Sequence, residues 1–535
     1  MNTKIIFFFF TILICHITNA QIIFHKTIGG HGNNKANCVK QTQDGGYIIV
    51  GSTDMHDTTG LDVYVVKTDQ FGDTLWTRTY GGINDDIGNA VIQNPNGSYV
   101  IVGSTFSFGS GQQDIYVISI NGNGDTLWTR TYGGISLETG SDIKRTSTGD
   151  YVIVGTTNSY GSGDADIYLI KINNLGDTLW TRTFGGTSDE SGSSVYLTGG
   201  GGYVITGSTY SFGAGGYDMY IVTTNDSGNI VGNTYTYGGP NGNEYGNCGL
   251  QTSDGGYIFC GSTTSFGNGL DDVYVVKTDV SGTIQYQKTF GGASYDQGNA
   301  LLQTIDGGYI IAGTSQSFGS GNSYVYLLKT DATLTLNWSW IIGGTSANQG
   351  NSVAQTTDGG YIVAGSTQSF GQGGWDIYLI KTDANGFSDC NYFPATNLST
   401  IPSTQITHAL TIVSTGGIIT KDSTIVSFGG KDSTICFEWE GIPEIPISSG
   451  ESFIYPNPSN GTTHLLIHET NLLNEQISIR LYDVLGKELN IEYLKENSAE
   501  DSIQMIIETR GIPKGVYFIR TTIGQRIFNN IITIY

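Results

Sequence analysis

Apolar positions along the chain come in short runs closed by turns, and the whole arrangement repeats. The tyrosine that opens one of these runs stands at 47, 99, 151, 203, 257, 309 and 361, so the spacings are 52, 52, 52, 54, 52 and 52. A consensus unit reads G-N-A-V-I-Q-T, D-G-G-Y-I-I-V-G-S-T, S-F-G-x-G, D-V-Y-V-V-K-T-D and T-L-W-T-R-T-Y-G-G. Runs this short, bounded by Gly-rich turns and rich in β-branched and aromatic residues, predict four strands per unit. A unit of this length suits a four-stranded propeller blade.

Each strand's pattern predicts its place. Gly88-Asn89-Ala90-Val91-Ile92-Gln93 is small and polar-mixed, as a crowded innermost strand requires. Tyr47-Ile48-Ile49-Val50 and Val63-Tyr64-Val65-Val66 are apolar on both faces, the pattern of strands covered on both sides. In Leu75-Trp76-Thr77-Arg78-Thr79-Tyr80 long side chains alternate with Thr, which suits a half-solvated outer strand. Outer strands end in Gly-Gly at 29–30, 81–82, 133–134, 185–186, 238–239, 291–292 and 343–344. The first of them has no inner strands before it, and the last inner set, 352–382, has no outer strand after it. Phe24-His25-Lys26-Thr27-Ile28 is therefore expected to complete the last sheet, which leaves no open edge. The expected fold is all-β: a seven-bladed propeller of four-stranded blades over 21–389, its last blade closed by the N-terminal strand, a Ser/Thr-rich spacer over 390–450, and a small β-sandwich over 451–535.

Lys4, the apolar run from Ile5 to Cys15 and the small residues Thr18-Asn19-Ala20 have the layout of a secretory signal peptide over 1–20. The run is too short to cross roughly 30 Å of hydrocarbon, and no later segment approaches the ~20 apolar residues a helix needs, so no transmembrane segment is expected. At the other end stand Phe453-Ile454-Tyr455-Pro456-Asn457-Pro458-Ser459-Asn460-Gly461, then Leu481-Tyr482-Asp483-Val484-Leu485-Gly486-Lys487, then Ile512-Pro513-Lys514-Gly515-Val516-Tyr517-Phe518-Ile519. Three motifs in this order resemble the C-terminal sorting domain of type IX secretion cargo, with Pro456, Asn457, Pro458, Gly461, Asp483, Gly486, Gly515 and Tyr517 as the motif residues. The resemblance implies a β-sandwich that engages the type IX secretion machinery, carries the protein across the outer membrane and is removed as the cargo is anchored at the surface or released. The ending, Arg526-Ile527-Phe528-Asn529-Asn530 to Tyr535, departs from the family's Lys-rich last strand, which bears on processing and not on route.

Charge excludes one class of partner. The net charge is −23, and 14 basic against 32 acidic side chains put −18 of it on 21–389. A field of this sign repels polyanions, so no nucleic-acid partner is expected, whereas cations, neutral glycans and basic proteins remain. Six cysteines, at 15, 38, 248, 260, 390 and 436, form no C-x-x-C pair. Cys390 and Cys436 bracket the Ser/Thr-rich stretch as a candidate disulfide. Cys248 and Cys260 flank one turn, either as a cross-strand disulfide or as buried small hydrophobes.

Catalytic signals are sparse. In the mature repeat region histidine occurs only at 25, 31 and 56, so no Ser-His-Asp triad is legible, and Gly51-Ser52-Thr53 recurs in unit after unit, as scaffold does. Asp69-Gln70-Phe71-Gly72-Asp73-Thr74-Leu75-Trp76 is similar in part to the tryptophan-docking motif of quinoprotein propellers, with Trp128, Trp180 and Tyr286 in the matching place, but is one step short. The plainer expectation is that Trp stacks between blades while Asp and Gly make a tight turn. Asp62, Asp114, Asp166, Asp218, Asp272 and Asp376 each precede a Tyr by two residues, and they are expected to accept backbone N–H bonds at strand starts. No cofactor is expected; calcium is the alternative, from that ring of Asp or from Asn121-Gly122-Asn123-Gly124-Asp125, which lacks the downstream Glu of a calcium loop.

The connections from outer to inner strands do not repeat. They contain Asp85, Asp86, Glu138, Asp189, Glu190, Glu244, Tyr245, Tyr295 and Asp296, and share one face with the S-F-G-x-G loops. Variation on a repeating scaffold marks a binding face. The expectation is an exported, non-enzymatic module that takes a glycan or protein ligand on this acidic face. Two alternatives stand beside it: a carbohydrate-active enzyme using paired carboxylates at the channel mouth, and a passive cell-surface component.

Overall fold

The computed structural model describes residues 21–54, 60–320, 322–388 and 390–395, and beyond them the strands named below with 491 and 509–514. The expected signal peptide, with Cys15, and His56 lie outside the described residues. The chain divides into two units, 1–441 and 442–535. Every regular element described is a strand.

The first unit contains seven antiparallel sheets in a β-propeller-like series. Sheet 1 runs, from inner to outer strand, Asn34–Gln41, Tyr47–Thr53, Asp62–Thr68 and Thr74–Gly81. Sheets 2 to 6 repeat this order from the inner strands Asp86–Gln93, Glu138–Arg145, Glu190–Leu197, Glu244–Gln251 and Asp296–Gln303. Sheet 7 begins with Asn348–Gln355 and takes its fourth strand from the other end of the region: Gln21–Gly29 pairs with Asp376–Thr382, placing Phe24 opposite Lys381 and Ile28 opposite Ile377. The second and third strands of each sheet are almost wholly buried, which is why their sequences are apolar on both faces.

The turns explain the glycines. In Thr42-Gln43-Asp44-Gly45-Gly46 the Asp44 carboxylate accepts from the Gly46 N–H (3.1 Å) and from Lys67 Nζ (3.1 Å) of the third strand. Gly45 holds φ +84°, a left-handed conformation, and a Cβ on Gly46 would collide with the Thr68 carbonyl. The same Lys–Asp pair recurs as Lys277–Asp254, Lys329–Asp306 and Lys381–Asp358.

Neighbouring sheets are stitched at a bulge. Each inner strand slips register after its third residue, as between Gly88 and Ala90, and the residue left over turns out of the ladder. Where that residue is Asn, its Nδ2 donates to the next sheet: Asn37 to the Gly88 carbonyl (2.9 Å), Asn89 to Gly140 (2.8 Å), Asn247 to Gly298 (2.9 Å) and Asn299 to Gly350 (2.8 Å). Asn351 of sheet 7 donates in the same way to Ala36 of sheet 1 (2.8 Å). Sheets 3 and 4 carry Ser141 and Ser193 here, too short to reach across.

The Ser/Thr-rich stretch belongs to these sheets. Tyr392–Pro394 pairs with the outer strand of sheet 6, Gln405–Ala409 with sheet 4, Ile412–Ser414 with sheet 3, Ile418–Thr420 with sheet 2, Ile425–Ser427 with sheet 1, and Lys431–Glu440 with Gln21–Gly29 of sheet 7. The segment thus runs back around the series against the order of the chain, adding a fifth strand to six sheets. Among the described residues sheet 5 keeps four. Cys390 is disulfide-bonded; the side chain of Cys436, its candidate partner, lies outside the described residues. Cys248 and Cys260 sit opposite one another but remain free thiols, so the cross-strand disulfide is not formed.

The second unit has two four-stranded sheets. One orders Glu451–Tyr455, Thr462–His468, Ser502–Glu508 and Glu492–Ala499; the other orders Glu488–Leu489, Ile477–Asp483, Gly515–Ile523 and Arg526–Ile534. Alternate residues from both, among them Leu465, Ile467, Leu481, Met505 and Ile519, form one core. Asp483 pairs with Tyr517, which is buried and whose hydroxyl donates to the Pro513 carbonyl (2.7 Å), while Gly515 opens its strand. Pro456, Asn457, Pro458, Gly461 and Gly486 lie outside the described residues.

Candidate functional site

The expected acidic face divides into two populations. Asp86, Glu138, Glu190, Glu244 and Asp296, the first residues of five inner strands, are at most 1% exposed. They are not ligand-facing, and their hydrogen bonds give the reason. One oxygen of Glu138 accepts from the Gly134 N–H (2.7 Å), the other from the Thr157 hydroxyl (2.8 Å) and the Ser159 N–H (3.0 Å). Glu190 and Glu244 repeat this set, and Asp86 and Asp296 take the shorter version through Ser107 and Ser317. Each ties the end of an outer strand to the S-F-G-x-G loop beyond it. At the other two junctions Asn34 and Asn348 take this place, with Oδ1 accepting from Thr53 (2.6 Å) and Thr367 (2.7 Å).

A second carboxyl meets all of these but Asn348. Asp114, Asp166, Asp218, Asp272 and Asp376 accept backbone N–H bonds from the loop before them, as expected; Asp114 does so from Ser110 (3.0 Å) and Gly111 (3.1 Å). In sheet 6 the Tyr324 hydroxyl accepts from the Ser320 N–H instead (3.2 Å). The remaining oxygen turns toward the glycine that ends the outer strand, where a Cβ on Gly133 would run into both Asp114 and Glu138. Burial, reinforced by the Glu244 charge, pushes Asp218 up to about 7; burial, reinforced by Asp296, pushes Asp272 up to about 6. Such pairs are buried scaffold, out of reach of a substrate.

Asp85, Asp189, Tyr245 and Tyr295 stay accessible. Asp85 accepts from the Leu61 N–H (2.8 Å). Asp189 takes the Tyr217 hydroxyl at 3.4 Å, and Tyr217 packs between Tyr210 and Tyr245 with ring centroids 5.2 and 5.4 Å away. Further along the face a cavity of about 490 Å³ opens over sheets 6 and 7, lined by Tyr295, Gln297, Asn299, Thr314, Gln316, Gln349 and Asn351. Asp271, beside it, is hydrogen-bonded to Gln297 and has one buried oxygen without a partner. Tyr210, Tyr217, Tyr245, Tyr295 and the amides of the cavity therefore lie on sheets 4 to 7, while Phe106 of sheet 2 is a further exposed aromatic. Sequence reading named Tyr245 and Tyr295 but missed the glutamines, which stand at repeat positions filled elsewhere by Lys35, Ile87, Thr139 and Ser191, or by Asp54, Phe106 and Asn158.

The tryptophan turns are structural. Trp76 Nε1 donates to the Gly122 carbonyl of the next sheet (3.2 Å), and Arg78 lies over the Trp76 ring at 5.7 Å. In Asn121-Gly122-Asn123-Gly124-Asp125 the Asn121 Oδ1 accepts from the N–H groups of Asn123 and Asp125 (2.9 and 3.0 Å), an Asx turn. Among the described residues no three His, Cys, Asp or Glu side chains gather as metal ligands.

Residues 453–534 match the family model described as the secretion system C-terminal sorting domain. That places a type IX sorting domain at the C-terminus. The sorting domain supports secretion, with attachment at the cell surface or outer membrane, and implies engagement of the secretion machinery. No curated protein matches the sequence. Among the described residues no helix is long and apolar enough to cross a membrane.

Proposed function

We propose that this is an exported, non-enzymatic binding module: a closed seven-bladed ring, delivered by its signal peptide and sorting domain, that takes a glycan or protein ligand on the loop face of sheets 4 to 7. The observation that carries this reading is the break in repeat symmetry. Scaffold positions such as the Gly-Gly turns and buried carboxyls return in sheet after sheet, whereas Tyr210, Tyr217, Tyr245 and Tyr295 follow one another on sheets 4 to 6, with Gln297, Gln316 and Gln349 beside the last of them, at positions that other sheets fill with unlike residues. Burial of the junction carboxyls supports binding over hydrolysis, since acid–base work on a glycosidic bond needs two accessible carboxyls about 5 to 10 Å apart. The test is a screen of the purified mature chain on arrays of saccharides and of proteins, with calcium and with chelator. Discrete ligands are expected, and they should be lost when Tyr210, Tyr217, Tyr245 and Tyr295 are all changed to Ala. Binding untouched by those changes, or no ligand on either array, would overturn the reading; loss with chelator would add calcium to it.

A further inference from the structure

Building on that reading, we infer that the cavity over sheets 6 and 7 is a subsite for an uncharged saccharide. Its lining is unlike the rest of the face. Tyr295 is 46% exposed and is the one aromatic ring in the lining. The side-chain amides of Gln316 and Gln349 have no partner among the described residues and leave donors and acceptors uncommitted. The Nδ2 atoms of Asn299 and Asn351 are spent on the carbonyls of Gly350 and Ala36, so their amide planes are fixed and their Oδ1 atoms remain acceptors. Thr314 Oγ1 accepts from the Gly350 N–H (3.3 Å), which leaves its own hydrogen to donate. Gln297 is held by Asp271.

Two amides held at fixed angles, Asn299 and Asn351, and two uncommitted ones, Gln316 and Gln349, beside one aromatic ring complement a sugar. Vicinal hydroxyls each donate and accept, as amides do, and the C–H face of a pyranose stacks on an aromatic ring. The cavity, about 490 Å³, falls within the roughly 300–1,000 Å³ of small-molecule sites. No cationic side chain lines it and the chain carries −23, so sulfated or uronic sugars are repelled. A protein ligand would ask for a broad apolar patch around a buried anchor, and here one tyrosine stands among amides.

The experiment titrates the mature full chain with neutral saccharides and with sulfated and sialylated counterparts. Neutral sugars are expected to bind, with Kd raised at least tenfold by Tyr295→Ala and by the double change Gln316→Ala/Gln349→Ala. Ile135→Ala, on the exposed loop after sheet 2's outer strand, should stay within about threefold of wild type. Thermal melting of each variant separates a lost site from a lost fold. Neutral-sugar binding that survives both the Tyr295→Ala and the double variant overturns the cavity assignment while leaving the wider face intact. A preference for anionic sugars, or the absence of any saccharide binding, overturns the inference, and in the second case a protein bound to the four tyrosines would still sustain the proposed function.

Discussion

The buried carboxyls give the protein its expected response to pH. An unfolded Asp titrates near 3.9, whereas Asp218 is raised to about 7 and Asp272 and Asp376 to about 6 in the fold, with Asp86, Asp166 and Asp296 also raised by burial. A group whose folded pKa lies above its unfolded value leaves stability intact below the unfolded pKa and removes it as pH rises through the folded one. Carboxyls in which burial is outweighed by a Thr hydroxyl, a Lys and a turn N–H, such as Asp254 lowered to about 2, act oppositely and only below pH 4, and buried His25, lowered to about 3, opposes the trend as a single group. Thermal melting should therefore show a maximum near pH 4 to 5 and a steady fall toward pH 7. Asp218→Asn, which keeps the shape and removes the proton, should flatten that fall by up to one proton, about 1.4 kcal/mol per pH unit between pH 4 and 7; an unchanged slope would show that Asp218 is ionised throughout. The scaffold role of these acids was legible in principle. Asp86, Glu138, Glu190, Glu244 and Asp296 recur at 52, 52, 54 and 52, the spacing of the tyrosines, and regularity of that kind marks framework. Reading them as variable loop acids confused their surroundings with their register. The glutamines of the cavity were hidden for the opposite reason: one amide looks like another until the sheets bring five amide side chains together.

At the level of elements the alternation of long side chains and Thr does what its pattern predicts. The outer strand turns its Trp and Arg onto the glycine turn of the next sheet, so Arg130 lies 5.6 Å over Trp128 and Arg130 Nη2 donates to the Leu175 carbonyl (3.2 Å). A Cβ on Gly176 would press on the Trp128 ring, which is why that turn needs glycine beyond its φ of +83°. Trp128→Ala is expected to cost about 1 to 3 kcal/mol in denaturant unfolding, less than a fully buried Trp because the ring is half-exposed. Asn89→Ala should cost about 1 kcal/mol by leaving the Gly140 carbonyl without its partner, whereas Ser141→Ala, at the equivalent place in sheet 3, should be close to neutral; equal effects would remove the stitching role from the bulge. The four strands that each repeat contributes, their order and the N-terminal strand's partner were readable from short apolar runs and turn residues, whereas the fifth strand of six sheets was not. The bulge was not, because one unpaired residue leaves the alternation on either side intact.

Across the whole molecule the largest departure from sequence reading is the stretch after 389. Five of its six strands are only three to five residues long, too brief to carry an alternation, and their partners lie from about 50 to over 300 residues away. In the fold they cover the outer edges of six sheets, the position where an unpaired strand invites aggregation. The consequence is testable by two truncations. A chain of residues 21–441 retains every pairing of the first unit and should melt as that unit does in the mature protein, and it should remain monomeric. A chain of residues 21–389 exposes six outer strands and loses Lys431–Glu440 from beside Gln21–Gly29, so it should melt several degrees lower and self-associate with concentration. Reduction separates the disulfide from the strands: if Cys390 bonds Cys436, closing that loop is worth about 4 kcal/mol in the chain-entropy estimate, and thiol reductant should lower the midpoint of 21–441 while leaving 21–389 unmoved. Equal midpoints and equal monodispersity for the two truncations would mean that the added strands decorate the sheets without holding them, and the protective role would fall. A lower midpoint for the shorter chain would instead set the working end of the first unit at 441, so that removal of the sorting domain would leave the edge strands in place.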